Sequence, residues 1–170
     1  MNSELLEKAK RIKLIILDVD GVLTDGSITY GTARTGDIEI RTFHVQDGFG
    51  ISRAVSLGFP VAVITGRRSR IVERRAKELG IKDVFQASED KLPAYMKLKR
   101  RYRVADEEVA CMGDDVLDLA LLNRVGLSAV TKHAVPEVRQ SVDYVSSLDG
   151  GRGAAREFID LILRAQKKIK

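Results

Sequence analysis

Along the chain, compact runs of apolar residues alternate with longer stretches in which apolar positions recur every three or four residues. KLIILDV, FPVAVIT and EVACMGD are the longer apolar runs, with DVFQA and LSAV as shorter ones. Continuous runs of this length read as strands buried on both faces, because a strand with one wet face would alternate. Between them, GFGISRAVSLG, SRIVERRAKELG, EDKLPAYMKLKRRY, DLALLNRVG and AAREFIDLILRAQKKI read as helices. Gly58 and Gly80 are placed to end the first two, Ser69 to cap the second, and Pro93 fits its helix only within the first turn. Buried strands alternating with helices predict an α/β fold, a doubly wound, mostly parallel sheet covered on both faces.

One stretch breaks the rhythm. SITYGTARTGDIEIRTFHV, residues 27–45, alternates side chains over two short runs separated by Gly-containing turn chemistry, which predicts a small β-hairpin insertion. The insertion is too short to be a lid, so no cap domain is expected. Its open strand edges need a partner, and other copies of the chain are one source.

Composition narrows the class. A chain of 170 residues, 44% hydrophobic, closes one core and is read as a single domain over residues 1–170. The lone Cys111 permits no internal disulfide, and MNSELLEKAKRIK lacks the apolar segment of a secretion signal, so a cytoplasmic location is expected. The apolar runs fall far short of the roughly 20 residues that span a bilayer, so no membrane partner is expected. The net charge of +5 is spread over helical stretches with few aromatics. That distribution argues against nucleic acid and for a small anionic substrate.

Chemistry concentrates where apolar runs end. The first run stops at Asp18 and Asp20, and EVACMGD stops at Asp114 and Asp115. In doubly wound sheets ligands bind beyond the carboxyl ends of the strands. Like charges against apolar walls need compensation, and a nest of carboxylates without His or Cys at useful spacing suits Mg²⁺ better than Zn²⁺. Cys111, inside an apolar run, reads as core, and His133 as a surface loop residue.

DVDGVLTD, ITGR, the Lys91 of SEDK and GDDVLDL, in that order, resemble the four motifs of the haloacid dehalogenase superfamily of phosphatases. TDG, the hairpin, FHVQDGFGI and GGRGAARE extend the likeness over nearly the whole chain. They resemble the capless, tetrameric group that hydrolyses 3-deoxy-D-manno-octulosonate 8-phosphate (KDO 8-phosphate) in bacterial lipopolysaccharide synthesis. The resemblance implies a Rossmann-type fold, a homotetramer and a phosphorylated sugar-acid substrate. It also implies Asp18 as nucleophile through an aspartyl phosphate, Asp20 as general acid and then base, and Thr65 and Lys91 on the phosphoryl group. Asp18, Asp114 and the backbone carbonyl of Asp20 would hold Mg²⁺. Substrate contacts would come from Asp20, His44, Val45, Gln46, Asp47, Gly48, Arg67, Arg75, Lys91 and Arg152.

Asp115 is expected to orient Lys91, and Asp118 to start the following helix. The tail from about residue 148, with Gly150, Gly151 and Gly153 around Arg152, is expected to be a flexible segment that drapes over an active site in place of a cap, which the resemblance implies to be a neighbouring subunit's. Two positions depart from the group's pattern: Ser52 stands where a basic residue is frequent, with Arg53 beside it, and Ala87 where Gly is common. A noncatalytic phosphatase-like oligomerisation module, a receiver-type phosphoacceptor and a phosphatase for a related nonulosonate 9-phosphate are the alternatives.

Overall fold

The structure, a computed structural model, describes residues 3–34 and 36–170. Thr35, in the predicted hairpin turn, lies outside the described residues. Strands β1 (Leu14–Leu17), β4 (Val61–Ile64), β5 (Asp83–Phe85), β6 (Val109–Gly113), β7 (Leu127–Val130) and β8 (Tyr144–Val145) form one sheet in the order β5-β4-β1-β6-β7-β8. All its pairings are parallel. The two remaining strands, β2 (Thr29–Ala33) and β3 (Gly36–Ile40), form a separate antiparallel hairpin. The structure is thus the expected doubly wound α/β fold with a hairpin insertion and no cap.

The apolar runs are continuous because both faces of the sheet are covered. Ile15 and Leu17 point into a core that also holds Ile51, Val72 and Phe158. These come from α2 (Val45–Ser56), α3 (Arg70–Glu78) and α7 (Ala154–Ala165). Leu14 and Ile16 point the other way, toward Tyr95, Leu98, Cys111 and Leu121 under α4 (Leu92–Tyr102) and α5 (Leu119–Leu122). Successive side chains on a strand face opposite sides, so four apolar residues in a row serve two cores. Cys111 is buried there, and burial pushes its thiol pKa well up, as befits a core residue.

Several elements differ from the sequence expectation. An N-terminal helix, α1 (Ser3–Arg11), docks on α7, where Gln166 Nε2 donates to the carbonyls of Ala9 at 3.1 Å and Ile12 at 2.8 Å. Helix α2 begins at Val45 instead of Gly48, and α5 is a single turn entered through a 3-10 turn at Val116–Asp118. A short α6 (Pro136–Arg139) and edge strand β8 complete the fold. Pro93 does sit in the first turn of α4. Ala87 has φ of +53°, the left-handed region that explains glycine at that position and that costs a residue with a Cβ roughly 1–2 kcal/mol.

The strand order reverses at β1, since the chain passes to β4 and β5 on one side and then to β6, β7 and β8 on the other. That reversal opens a crevice beyond the carboxyl ends of β1 and β6. Register aligns Leu17 with Met112, and Asp18 N donates to Met112 O at 3.0 Å. Asp18 is therefore brought level with the Gly113–Asp114 step.

Candidate active site

Each acid in the crevice is placed by backbone geometry. Asp18 follows β1 directly, and Asp114 follows β6. Gly21, with φ of +74°, turns the chain under Asp114, and a Cβ there would lie 1.9 Å from Asp114 Oδ2. Glycine is required on both counts. Lys91 occupies the N-cap position of α4 and reaches inward, 4% exposed, to lie 3.0 Å from Asp18 Oδ1 and 2.5 Å from Asp118 Oδ1. Thr65 is buried at the end of β4, its N–H donating to Phe85 O at 2.9 Å.

Asp118 and Asp115 exchange their expected roles. Asp118 is the partner of Lys91, and its Oδ2 also accepts from the backbone N–H groups of Asp114 at 3.0 Å and Asp115 at 3.3 Å. Asp115 instead caps the 3-10 turn, accepting from Val116 N at 2.6 Å. The turn places the third residue after Asp115, not Asp115 itself, beneath Lys91.

The electrostatics are those of crowded carboxylates. Burial pushes the Asp18 pKa up to about 7, with Lys91 opposing and Asp118 adding to the rise. Burial pushes Asp114 up to about 8, with Asp18, Asp118 and Asp115 adding to it. Burial also works against the charge of Lys91, but Asp18 and Asp118 outweigh it and raise its pKa above the ordinary value.

Carboxylate oxygens of Asp18, Asp114 and Asp118 lie within 4.8 Å of one another. Asp118 has its oxygens committed to Lys91 and to two backbone N–H groups, which leaves Asp18 and Asp114 open. Asp18 Oδ1 is buried and accepts no hydrogen bond, although Lys91 is close. A buried carboxylate oxygen compensated by the Lys91 ion pair alone, beside the Asp114 carboxylate in an all-oxygen set, fits a hard divalent cation such as Mg²⁺.

Around this centre the predicted substrate residues divide. The Asp20 carboxylate, beside it, accepts from Arg41, a residue the sequence reading missed. Arg152 lines a cavity of about 290 Å³ together with Gly21, Asp114, His133, Asp149 and Gly150. His133 is exposed and faces Asp149. Arg67 donates from Nη2 to Tyr30 OH at 3.0 Å, tying its loop to the hairpin.

His44, Val45, Gln46, Asp47, Gly48 and Arg75 gather instead at the start of α2. No hydrogen bond or ion pair links them to Asp18, Asp20, Lys91 or Asp114 among the described residues. His44 is the N-cap residue of α2, with Nδ1 4.0 Å from Asp47 Oδ2. Val45 and Gln46 are exposed. Arg75 lies over the Phe43 ring and against Gly48, where a Cβ would meet its Nη2 at 2.2 Å.

Asp47, read as a substrate contact, has a structural partner set in the structure. Asp47 is 2% exposed, and its two oxygens accept from Gly153 N at 3.0 Å and Arg156 N at 2.9 Å, capping α7. The glycine segment packs against the chain itself. Gly151 N donates to Val22 O at 2.9 Å, and a Cβ on Gly150 would lie 1.9 Å from Gly21 O. The segment is a wall built against the chain's own Gly21–Thr24 turn. Nor does Arg53 replace a basic residue at 52: Ser52 Oγ faces Leu79 O at 3.5 Å, whereas Arg53 pairs with Asp160 on α7.

A parallel sheet with an aspartate directly after β1, a second aspartate two residues on, a buried lysine and a third aspartate across the crevice marks a haloacid dehalogenase-like hydrolase. The family model described as haloacid dehalogenase-like hydrolase matches residues 81–157. The 3-deoxy-D-manno-octulosonate 8-phosphate phosphatase KdsC of Escherichia coli (strain K12) is 43% identical over 169 residues, 99% of this chain and 88% of the relative. Among solved structures, the 3-deoxy-D-manno-octulosonate 8-phosphate phosphatase from Yersinia pestis superimposes with a TM-score of 0.94 at 41% identity, covering 99% of this chain and 89% of that one. The Moraxella catarrhalis phosphatase of the same name, solved with magnesium, phosphate and KDO, matches with a TM-score of 0.94 at 40% identity, covering 99% and 95%. The chain belongs to the 3-deoxy-D-manno-octulosonate 8-phosphate phosphatase family.

Proposed function

We propose that the chain is a Mg²⁺-dependent phosphomonoesterase that hydrolyses KDO 8-phosphate to KDO and inorganic phosphate in lipopolysaccharide synthesis. The observation that carries the chemistry is the buried Lys91 bridging Asp18 and Asp118 beside the open carboxylate of Asp114. The substrate assignment draws on relatives that match this chain from end to end.

Asp18 attacks phosphorus and carries the phosphoryl group as an aspartyl phosphate, which divides one difficult hydrolysis into two displacements. Asp20 protonates the leaving sugar oxygen and then takes a proton from the attacking water. Lys91 neutralises charge on the phosphoryl oxygens, and Asp118 holds Lys91 in place. Thr65 offers its hydroxyl to the same oxygens. A divalent cation held by Asp18, Asp114 and the backbone carbonyl of Asp20 supplies charge compensation for the phosphoryl dianion. Arg152 meets the sugar acid in this reading, which its position in the lining of the cavity beside Asp114 supports.

The oligomer is read as a homotetramer. Tyr30, Ile38 and Ile40 on the hairpin and Val45 and Phe49 on α2 are large exposed apolar side chains. A two-stranded hairpin is marginal alone in water, so covering this surface with other copies stabilises it. Such an assembly would also bring His44, Gly48 and Arg75 to a neighbour's crevice. No described helix is long and apolar enough to cross a membrane, and the cytoplasm, where activated sugar acids are made, is the proposed location.

Phosphate release from KDO 8-phosphate, a nonulosonate 9-phosphate and simple hexose phosphates, with Mg²⁺ and after EDTA, tests the reading. Preference for the eight-carbon substrate, silenced by EDTA and restored by Mg²⁺, is expected. Equal rates on hexose phosphates, or activity indifferent to EDTA, would refute it.

A further inference from the structure

Arg41 follows the end of β3 and turns its side chain inward, where it is 1% exposed. A guanidinium that deep needs acceptors. Nη1 donates to Asp20 Oδ1, Nε donates to Glu39 Oε1 at 2.6 Å, and Nη2 has no partner. Arg67, in the loop after β4, donates to Tyr30 on the other strand of the hairpin. The hairpin is thus tied to the loops after both β1 and β4. Asp20, whose side chain is 25% exposed, has no other hydrogen-bond partner for its carboxylate among the described residues.

We propose that Arg41 is the positioning residue of the acid–base aspartate: its guanidinium, anchored on Glu39, grips Asp20 Oδ1 and leaves Oδ2 to serve the leaving-group oxygen. The proposal rests on the reading of Asp20 as general acid. A general acid works only within hydrogen-bond reach of the atom it protonates, and a misplacement of about 1 Å costs on the order of 10²-fold. A rigid planar fork sets such a position in a way that a lysine on a flexible stem does not. The hairpin then has a catalytic duty besides its exposed apolar face.

The test compares two leaving groups. A primary-alkyl sugar phosphate needs its departing alkoxide protonated, whereas p-nitrophenyl phosphate releases a stable phenolate. Arg41→Met should lower kcat/KM, which covers only the steps up to transfer of the phosphoryl group onto Asp18, by about 10²-fold on the sugar phosphate and leave it nearly unchanged on p-nitrophenyl phosphate, whereas kcat, which includes the shared water step, falls on both. Arg41→Lys should recover part of the loss. The double variant Asp20→Asn/Arg41→Met should be no slower than Asp20→Asn alone, because residues acting as one unit are not additive. Glu39→Gln leaves the buried guanidinium in place and should give a smaller loss of the same leaving-group dependence, which carries the test if Arg41→Met does not fold. Equal losses of kcat/KM on both substrates, or additive losses in the double variant, overturn the positioning role. An Asp20→Asn variant with the same loss of kcat/KM on both substrates overturns the reading of Asp20 as general acid.

Discussion

Asp118 is the residue whose removal separates charge from scaffold. Asp118→Asn preserves shape and an oxygen for the N–H groups of Asp114 and Asp115, at 3.0 and 3.3 Å, but removes the negative charge 2.5 Å from Lys91 Nζ. A hydrogen bond to a charged group contributes roughly 1.5–3 kcal/mol net. Lys91 retains Asp18 at 3.0 Å, and the change also relieves repulsion that raises the pKa values of Asp18 and Asp114. The loss should therefore fall at the low end, about 1.5 kcal/mol, which for a chain of this size lowers Tm by about 3–6 °C. Asp118→Ala also strips the acceptor from two backbone N–H groups, and breaking a buried pair in this way costs about 3–5 kcal/mol. Thermal unfolding followed by circular dichroism reads these two steps, and phosphate release should show kcat down by roughly 10- to 100-fold for Asp118→Asn as Lys91 loosens. Wild-type Tm and kcat in both variants would refute the claim that Asp118 holds Lys91 and the Asp114 loop.

Asp18→Asn should abolish phosphate release while the metal-free protein unfolds at the same or a higher temperature, since a desolvated carboxylate among like charges is neutralised; substantial turnover would remove Asp18 as nucleophile. The pKa values of about 7 for Asp18 and about 8 for Asp114 mean that the metal-free folded chain binds more protons than the unfolded chain above the ordinary carboxylate range. That contribution to stability is fully present below about pH 4 and is lost as pH rises through 7 to 8, so Mg²⁺ should raise Tm more at about pH 8.5 than at about pH 5.5; equal increments would contradict it. Gly150→Ala drives a Cβ to within 1.9 Å of Gly21 O, a backbone atom that cannot swing aside. It should cost about 1–3 kcal/mol and weaken Mg²⁺ binding in titration calorimetry, and unchanged values would show that the wall does not support the Gly21 turn.

Strands β1, β4, β6 and β7 were legible because burial on both faces writes itself as uninterrupted apolar sequence, and the acids of the crevice because they end such runs. Asp18, Asp114 and Lys91 meet in the crevice, as the order of the motifs along the chain implies. What stayed hidden depends on contacts made by distant residues. Asp47 reads like any acid in a first helical turn, and its partners Gly153 and Arg156 lie over a hundred positions away. The exchange of Asp115 and Asp118 turns on the phase of one 3-10 turn, to which the hydrophobic pattern is blind. Arg41 is one basic residue among many until its burial and its fork onto Asp20 and Glu39 single it out. Helix α1 is held by α7, an element formed at the far end of the chain.

The most direct measurement is a crystal structure of the protein grown with Mg²⁺ and orthophosphate. The account predicts one octahedral cation between the carboxylates of Asp18 and Asp114, a phosphate facing Asp18, and Asp118 off the metal and bonded to Lys91. A cation bound elsewhere, or held by Asp118 while Asp18 points away from the phosphate, would contradict it.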